Sequence, residues 1–357
     1  MKPLRFIHTA DWHWGAHTAH PIYSNNAIID LGMLSMREQC SFVLVAGDVF
    51  DRPNPHPKIK DHLVEQLLPF SDFVRFIFFV GNHDYTTKSK DYHSINYLKY
   101  FEQATKGKGN IYIVEPGESI YMDDLPVPVS IFGMDEFGDL SGYKKKDGYN
   151  IITWHGIVPG IDFSSKEIMS SAAHKAVAQV VKDSQADYLA MGDIHQRTAF
   201  STRCAYSGPP VQKGYADTGT VDVVTLTPQK ASAVPVSLNL PKKVFVAVAT
   251  TNTAKIIAHV RKTVRPGNIV RLAFSLPLES WAALDKATLL DALQETYSCT
   301  MYNRPTTIDA PTALAKELGQ SRTTEQDLKI IIKSICDESS AKDVYTYCTD
   351  LIKGIDA

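Results

Sequence analysis

Phe42-Val43-Leu44-Val45-Ala46-Gly47-Asp48-Val49-Phe50-Asp51 is the stretch that decides the fold. A run of apolar, mostly β-branched or aromatic residues ends abruptly in a glycine and two carboxylates. A strand covered by other layers on both faces reads this way, because no polar side remains to alternate with the apolar one. The acids then arrive at the strand's C-terminal end, the edge at which α/β sheets build ligand sites. Asp48 is the central residue of this reading, since a carboxylate placed there can bridge two metal ions.

The same pattern recurs on either side. Arg5 to Ala10 predicts a short strand feeding Asp11-Trp12-His13, and a helix from about Tyr23 to Cys40 returns the chain to the strand at 42–46. A second helix, about Pro57 to Leu68, precedes a buried strand over Phe73–Val80, which stops at Gly81-Asn82-His83-Asp84. Each interval, Asp11 to Asp48 and Asp48 to Asn82, suits one strand–helix–strand crossover. Further on, Asn150–Thr153 enters Trp154-His155-Gly156. After a helix near Ser165–Ser184, Tyr188–Met191 enters Gly192-Asp193-Ile194-His195. Five polar clusters thus stand at strand ends in an α/β protein.

Between these landmarks, 85–108 is polar and aromatic and reads as partly helical, and strands are expected at Ile111–Val114 and Val127–Gly133. Arg203–Ser207, Thr220–Leu226 and Ala233–Leu240 look antiparallel. The character changes around Pro241. The expected plan is a main domain over 1–241, a small α+β unit over 242–310 and a helical tail over 311–357. In the tail, Leu328, Ile331, Ile332 and Ile335 fall at helical spacing, with a second amphipathic helix starting near Ser340.

The 357 residues are 44% hydrophobic and 21% charged, the composition of a soluble globular protein with room for two domains. A net charge of −2 provides no global basic field, so nucleic acid would have to be met by a local patch or through metals. Five scattered cysteines without a CxxC pair suit reduced thiols in the cytoplasm. The start, Met1-Lys2-Pro3-Leu4-Arg5, has no signal-type apolar stretch, and no window reaches membrane-spanning length, so no membrane association is expected.

Together the clusters offer carboxylates Asp11, Asp48 and Asp193, imidazoles His13, His155 and His195, and the amide of Asn82. Oxygen and nitrogen donors without a thiolate point to Mn²⁺, Fe or Zn²⁺ rather than Ca²⁺. Such a set can hold two ions about 4 Å apart, clamp phosphate oxygens and acidify a shared water. His83 follows Asn82 directly. It can face the substrate instead of the metal, protonating a leaving oxygen or stabilising developing charge.

Asp-x-His, Gly-Asp-x-x-Asp, Gly-Asn-His-Asp, Trp-His-Gly and Gly-x-x-His, in this order, resemble the calcineurin-like metallophosphoesterase superfamily. More narrowly, His8–Gly15, Ala46–Asp51 and Tyr206-Ser207-Gly208-Pro209-Pro210-Val211-Gln212 look like the SbcD-type nuclease subunits. The resemblance implies a layered sheet sandwich flanked by helices, a small α+β capping domain and a helical tail that binds an SbcC-like ATPase. It implies a homodimer acting on DNA as a Mn²⁺-dependent exo- and endonuclease. It assigns one ion to Asp11, His13, Asp48 and His195, the other to Asp48, Asn82, His155 and position 193, and catalysis to His83. Position 193 departs from the pattern, which usually carries histidine where this chain has Asp193. A phosphatase of the same superfamily and a weakened DNA-end scaffold are the alternative readings. Arg197 is read as a phosphate contact; His17, His56, His93 and Lys144-Lys145-Lys146 are weaker candidates.

Overall fold

Val43–Ala46 (β2) is wholly buried and lies between two parallel neighbours, Leu4–Thr9 (β1) and Phe76–Phe79 (β3). The computed structural model describes residues 1–16, 21–86, 89–98, 110–135, 137–158, 171–294 and 296–304. Beyond β3 the sheet continues in parallel to Ile111–Val114 (β6). On the other side, β1 pairs antiparallel with Val221–Leu226 (β13), and β13 with Ala231–Val236 (β14). Tyr85–Thr86 (β4) and Ser89–His93 (β5) form a separate hairpin.

A second six-stranded sheet has at its centre Tyr149–His155 (β9), flanked in parallel by Val129–Gly133 (β8) and Tyr188–Gly192 (β10). Cys204–Tyr206 (β12) extends it in parallel, while Ser119–Met122 (β7) and Thr198–Ser201 (β11) close its edges antiparallel.

The two-residue period of a strand sorts the side chains into layers. Phe6, Leu44, Ile77 and Phe79 of the first sheet share one buried cluster with Val129, Ile131, Tyr149, Ile151, Tyr188 and Ala190 of the second. Their alternates Ile7, Val43, Val45, Phe76 and Phe78 pack beneath the helices Pro21–Arg37 (α1) and Pro57–Leu67 (α2). Ile152, Trp154, Leu189 and Met191 do the same beneath Ser171–Ser184 (α3). The result is a helix–sheet–sheet–helix sandwich. Both sheets are covered on both faces, which is why their strands read as unbroken apolar runs.

The chain divides after Val244. Lys243–Val248 (β15), which crosses that division, Ile269–Phe274 (β16) and Ser298–Asn303 (β17) form a three-stranded sheet, with β16 and β17 parallel. Thr253–Thr263 (α4), Leu278–Ala283 (α5) and Lys286–Gln294 (α6) connect them. Asn252 caps α4 by accepting from the Lys255 amide at 3.0 Å. Among the described residues no helix is long and apolar enough to cross a membrane. The tail expected over 311–357 lies outside the described residues.

One sequence expectation differs from the structure outright, and two hold in part. Phe73 is 73% exposed in a turn, and pairing of β3 with β2 starts only at Phe76. Apolar character alone had extended that strand backwards. Cys204–Tyr206 pairs antiparallel with β11, as expected of Arg203–Ser207, and in parallel with β10 on its other side. Of 85–108, expected to be helical in part, Tyr85–Thr86 and Ser89–His93 pair as a hairpin and Ser94–Asn96 form a helical turn.

Leu44→Ala opens a cavity between the sheets and is expected to cost about 2–5 kcal/mol. Phe73→Ala, at an exposed turn, should cost within about 0.5 kcal/mol. Urea unfolding of the two variants checks both values.

Candidate metal centre

The polar clusters meet because the loops leaving β1 and β2 are zipped together through their backbones. The amides of Asp11, His13 and Trp14 donate to the carbonyls of Gly47, Asp48 and Val49 at 3.0, 3.0 and 2.8 Å. Following that zipper, Asp11, His13 and Asp48 adopt left-handed backbone with φ of 54°, 45° and 53°, and Asp193 has φ 98°. Non-glycine residues rarely take this conformation, and clustering of such strain is a feature of functional sites. Glycines let the two sheets converge. A Cβ on Gly47 would land on Nδ1 of His155, and one on Gly192 would strike the carbonyl oxygen of Ala46. That close approach explains why a glycine precedes the ligand-type residue in these clusters.

His155 projects from the second sheet to the loop ends of the first. Its Nδ1 donates to the Ala46 carbonyl at 2.8 Å, so Nε2 faces the centre. There Nε2 lies 2.9 Å from Asn82 Oδ1, 3.2 Å from Asp48 Oδ1, and 3.9 Å from both Asp11 Oδ1 and Asp193 Oδ1. A ring nitrogen surrounded by acceptor oxygens calls for a cation at that point, either a proton or a metal. A few ångströms away, Nε2 of His13 and Nε2 of His195 face each other at 3.1 Å. Asp217 Oδ2 stands 3.3 Å from His195 Nδ1, the carboxylate–imidazole arrangement that orients metal-ligating histidines.

Donor atoms within 4.8 Å of one another define three overlapping groups: Asp11, His13 and His195; Asp11, Asp48 and His155; and His13, Asp48 and His83. Asp11 Oδ2, fully buried, has no hydrogen-bond partner among the described residues. An orphaned carboxylate oxygen between imidazoles fits a cation. The donor set also has the mixed oxygen–nitrogen character of a transition-metal site. Asp193 belongs to none of these groups. Its amide donates to Asp11 Oδ1 at 3.0 Å and its side chain is 25% exposed. His83 is more open still, 44% exposed, with Nδ1 held 3.0 Å from the Asp51 carbonyl and its backbone amide donating to Asp48 Oδ1 at 2.9 Å.

The charges are tuned for cation binding. Burial holds the pKa of His13 down to about 3, leaving its imidazole neutral and able to ligate. Burial also raises Asp11 to about 6. Burial opposes the imidazolium of His155, but Asp48, Asp11 and the Ala46 carbonyl outweigh it and push the pKa up to about 10. Burial likewise opposes the Asp48 carboxylate; His155 and His13 overcome this and lower it to about 2. The cavity therefore favours positive charge at its centre.

Some residues of the site were invisible to spacing arguments. Asp217 follows no strand-end glycine, and its partnership with His195 emerges only from the fold. Asp84, fully buried, accepts from the amides of Val49, Phe50 and Gly81 at 3.2, 3.1 and 3.1 Å and from Ser94 Oγ at 2.9 Å, tying the loops after β2 and β3. Lys213 Nζ lies 3.0 Å from Asp51 Oδ1. Arg197, read as a phosphate contact, is instead committed to Asp222 at 2.6 Å and to the Ala233 carbonyl at 3.1 Å. The carboxylate that claims it is fully buried at the register partner of His8. His56 caps α2, its Nδ1 accepting from the Lys58 amide at 3.2 Å. His93 is buried 3.3 Å from Glu115. Lys146 lies over the Tyr121 ring at 4.9 Å. His17 lies outside the described residues.

Asp217→Ala releases the His195 ring. It is expected to weaken binding of one divalent ion by about 10–100-fold and leave the fold unchanged. Metal titration calorimetry beside circular dichroism checks this.

Two relatives are described as the SbcD component of the nuclease SbcCD. The protein from Rhodobacter capsulatus is 33% identical over 91 residues, 23% of this chain and 22% of that one. The protein from Bacillus subtilis is 24% identical over 267 residues, 64% of this chain and 66% of that one. The chain thus spans less than two thirds of either relative's length. Among solved structures, a dimetal phosphatase from Danio rerio aligns at a TM-score of 0.40 and 13% identity, over 66% of this chain and 99% of that one. The sequence profile of the calcineurin-like phosphoesterases matches residues 4–197, which takes in Asp11, Asp48, Asn82, His155 and His195. The chain belongs to the calcineurin-like phosphoesterase family, metal-dependent hydrolases of ester bonds.

Proposed function

We propose that the chain is a DNA phosphodiesterase, the Mn²⁺-dependent nuclease component of an SbcCD-like assembly. The observation that carries this reading is the convergence of Asp11, His13, Asp48, Asn82, His155 and His195 on one place, where Nε2 of His155 is ringed by acceptor oxygens and two further imidazole nitrogens face each other. Likeness to two SbcD proteins supports DNA as the substrate and an SbcC-like ATPase as the partner.

Asp11, His13, Asp48 and His195 would hold one ion, and Asp48, Asn82, His155 and Asp193 the other. When bound, the two ions supply charge neutralisation at the phosphate and a more acidic water. The chain's own residues do the rest. Asp48 sits within reach of both groups and fixes the His83 backbone through the 2.9 Å bond to its amide. The Asp51 carbonyl accepts from Nδ1 of His83, which leaves Nε2, 4.0 Å from Asp48 Oδ2, as the ring nitrogen not held by that bond. As an imidazolium, with both ring nitrogens protonated, His83 would deliver its Nε2 proton to the departing sugar oxygen and remain as the neutral ring with Nδ1–H on the Asp51 carbonyl. Asp193 enters as a carboxylate where a histidine is usual. It lowers the net positive charge at the centre and favours a hard cation such as Mn²⁺.

His83→Ala should retain both metals while cleavage of linear DNA falls about 10²–10⁴-fold, as expected for loss of a general acid. Parallel metal analysis and nuclease assays check this. A fall in stoichiometry together with activity would make His83 a ligand. Activity undiminished in excess chelator would remove the two-metal mechanism altogether.

The partner assignment has its own test. Deleting 320–357, which carries the apolar spacing of Leu328, Ile331, Ile332 and Ile335, should spare intrinsic cleavage and abolish co-purification with the ATPase. Loss of the folded state on deletion would assign these residues to the protein's own core.

A further inference from the structure

A cavity of about 590 Å³ opens on the outer face of the second sheet, between α3 and the β11–β12 hairpin. It lies beside Asp187, where β10 begins, whereas the candidate metal centre lies beyond His155 and Asp193, where β9 and β10 end. The two are at opposite poles of the same strands. The size suits a small organic molecule.

Its lining is bipartite. Val177 and Cys204 are buried in the floor and Phe200 stands partly buried beside them, edge-on to the His174 ring with centroids 5.3 Å apart. The rim carries Lys145, Lys182 and Arg203, and among the described residues none of these three side chains pairs with a carboxylate. Asp187 is the single acid in the lining, and it accepts from the Asn150 amide at 2.8 Å. Three cations against one carboxylate leave a rim with surplus positive charge.

These cations are mounted on fixed backbone. Asn150 is fully buried and clamps the lysine loop reciprocally: its Oδ1 accepts from the Lys146 amide and its Nδ2 donates to the Lys146 carbonyl, both at 2.8 Å. Lys145 is held through its neighbour. Arg203 sits in a tight turn, its amide donating to Ser201 Oγ at 3.1 Å and its carbonyl accepting from Leu189 at 2.8 Å. Lys182 stands in the last turn of α3. Fixed mounts reduce the ordering cost of binding an anion.

We infer that this cavity binds a nucleoside phosphate, with the base against Phe200 and the phosphates between Lys145, Lys182 and Arg203. An aromatic wall and a cationic rim within one pocket favour a ligand that is flat and apolar at one end and multiply anionic at the other. Gln185 and Asp187 offer an amide and a carboxylate to base or ribose donors. The inference stands apart from the nuclease reading, because it uses no residue of the metal centre.

The test is calorimetric titration of the full chain with ADP in chelator, so that bound metal contributes nothing. ADP should bind with one-to-one stoichiometry, and adenosine and pyrophosphate should each bind more weakly. Arg203→Ala combined with Lys182→Ala should weaken ADP by about tenfold or more, as loss of charge-assisted bonds does. Phe200→Leu should weaken ADP and leave pyrophosphate unchanged. Mn²⁺-supported hydrolysis of a chromogenic phosphodiester should be unaltered in both variants. Absence of saturable ADP binding, or equal affinity in the double variant, would overturn the site. Equal binding of pyrophosphate and ADP, with Phe200→Leu neutral, would overturn the nucleoside and leave a bare phosphate site.

Discussion

The backbone bonds from Asp11 and His13 to the carbonyls of Gly47 and Asp48 are the constraint on which the rest of the centre depends. They join two parallel strand ends beyond the point where sheet pairing stops. To make them, the chain must turn into left-handed backbone at Asp11, His13 and Asp48, which costs energy for residues with side chains. The surrounding layers over-determine that geometry. Asp84 gathers the adjoining amides, and the glycine at 47 leaves room for an imidazole from the opposite sheet. Three carboxylates and three imidazoles are thereby held together, with a charged His155 set against the Asp48 carboxylate at the centre.

Much of this was legible in the chain because the physics involved is local. Fully buried parallel strands leave long apolar runs, and the polar residues that follow them must lie at one edge; Ala46-Gly47-Asp48 and Thr153-Trp154-His155 read correctly for that reason. The edges were harder. Phe73 is as apolar as Phe76, and only the register with Val43 separates a turn residue from a strand residue. Arg197 lies two positions beyond His195, which suggested substrate, yet a buried carboxylate at Asp222 claims its guanidinium from across the fold. Asp217 and Asp84 are in the same class: their roles are set by which loops become neighbours, and sequence spacing carries no trace of that.

Electrostatics divides the donors into kinds that composition alone does not distinguish. His13 and His155 are the same residue type in similar strand-end positions. Burial governs the first and drives it neutral; two carboxylates and a carbonyl govern the second and keep it charged. A cation entering beside His155 therefore replaces a proton, while one entering beside His13 meets a free lone pair. The two halves of the centre differ in their coupling to acidity, although the proposed ligand sets share Asp48.

The donor atoms gathered here come from both sheets: Asp11, Asp48 and Asn82 from loops of one, His155 from the end of β9 and His195 from the loop after β10 in the other. Anything that binds all of them also fastens the sandwich shut. By mass action, a ligand with affinity only for the closed arrangement stabilises it by about 2.7 kcal/mol at a hundred times its dissociation constant. The inter-sheet core and ion binding are then linked equilibria. A substitution deep between the sheets, far from any donor atom, would weaken apparent ion affinity only in proportion to the molecules it takes out of the closed arrangement.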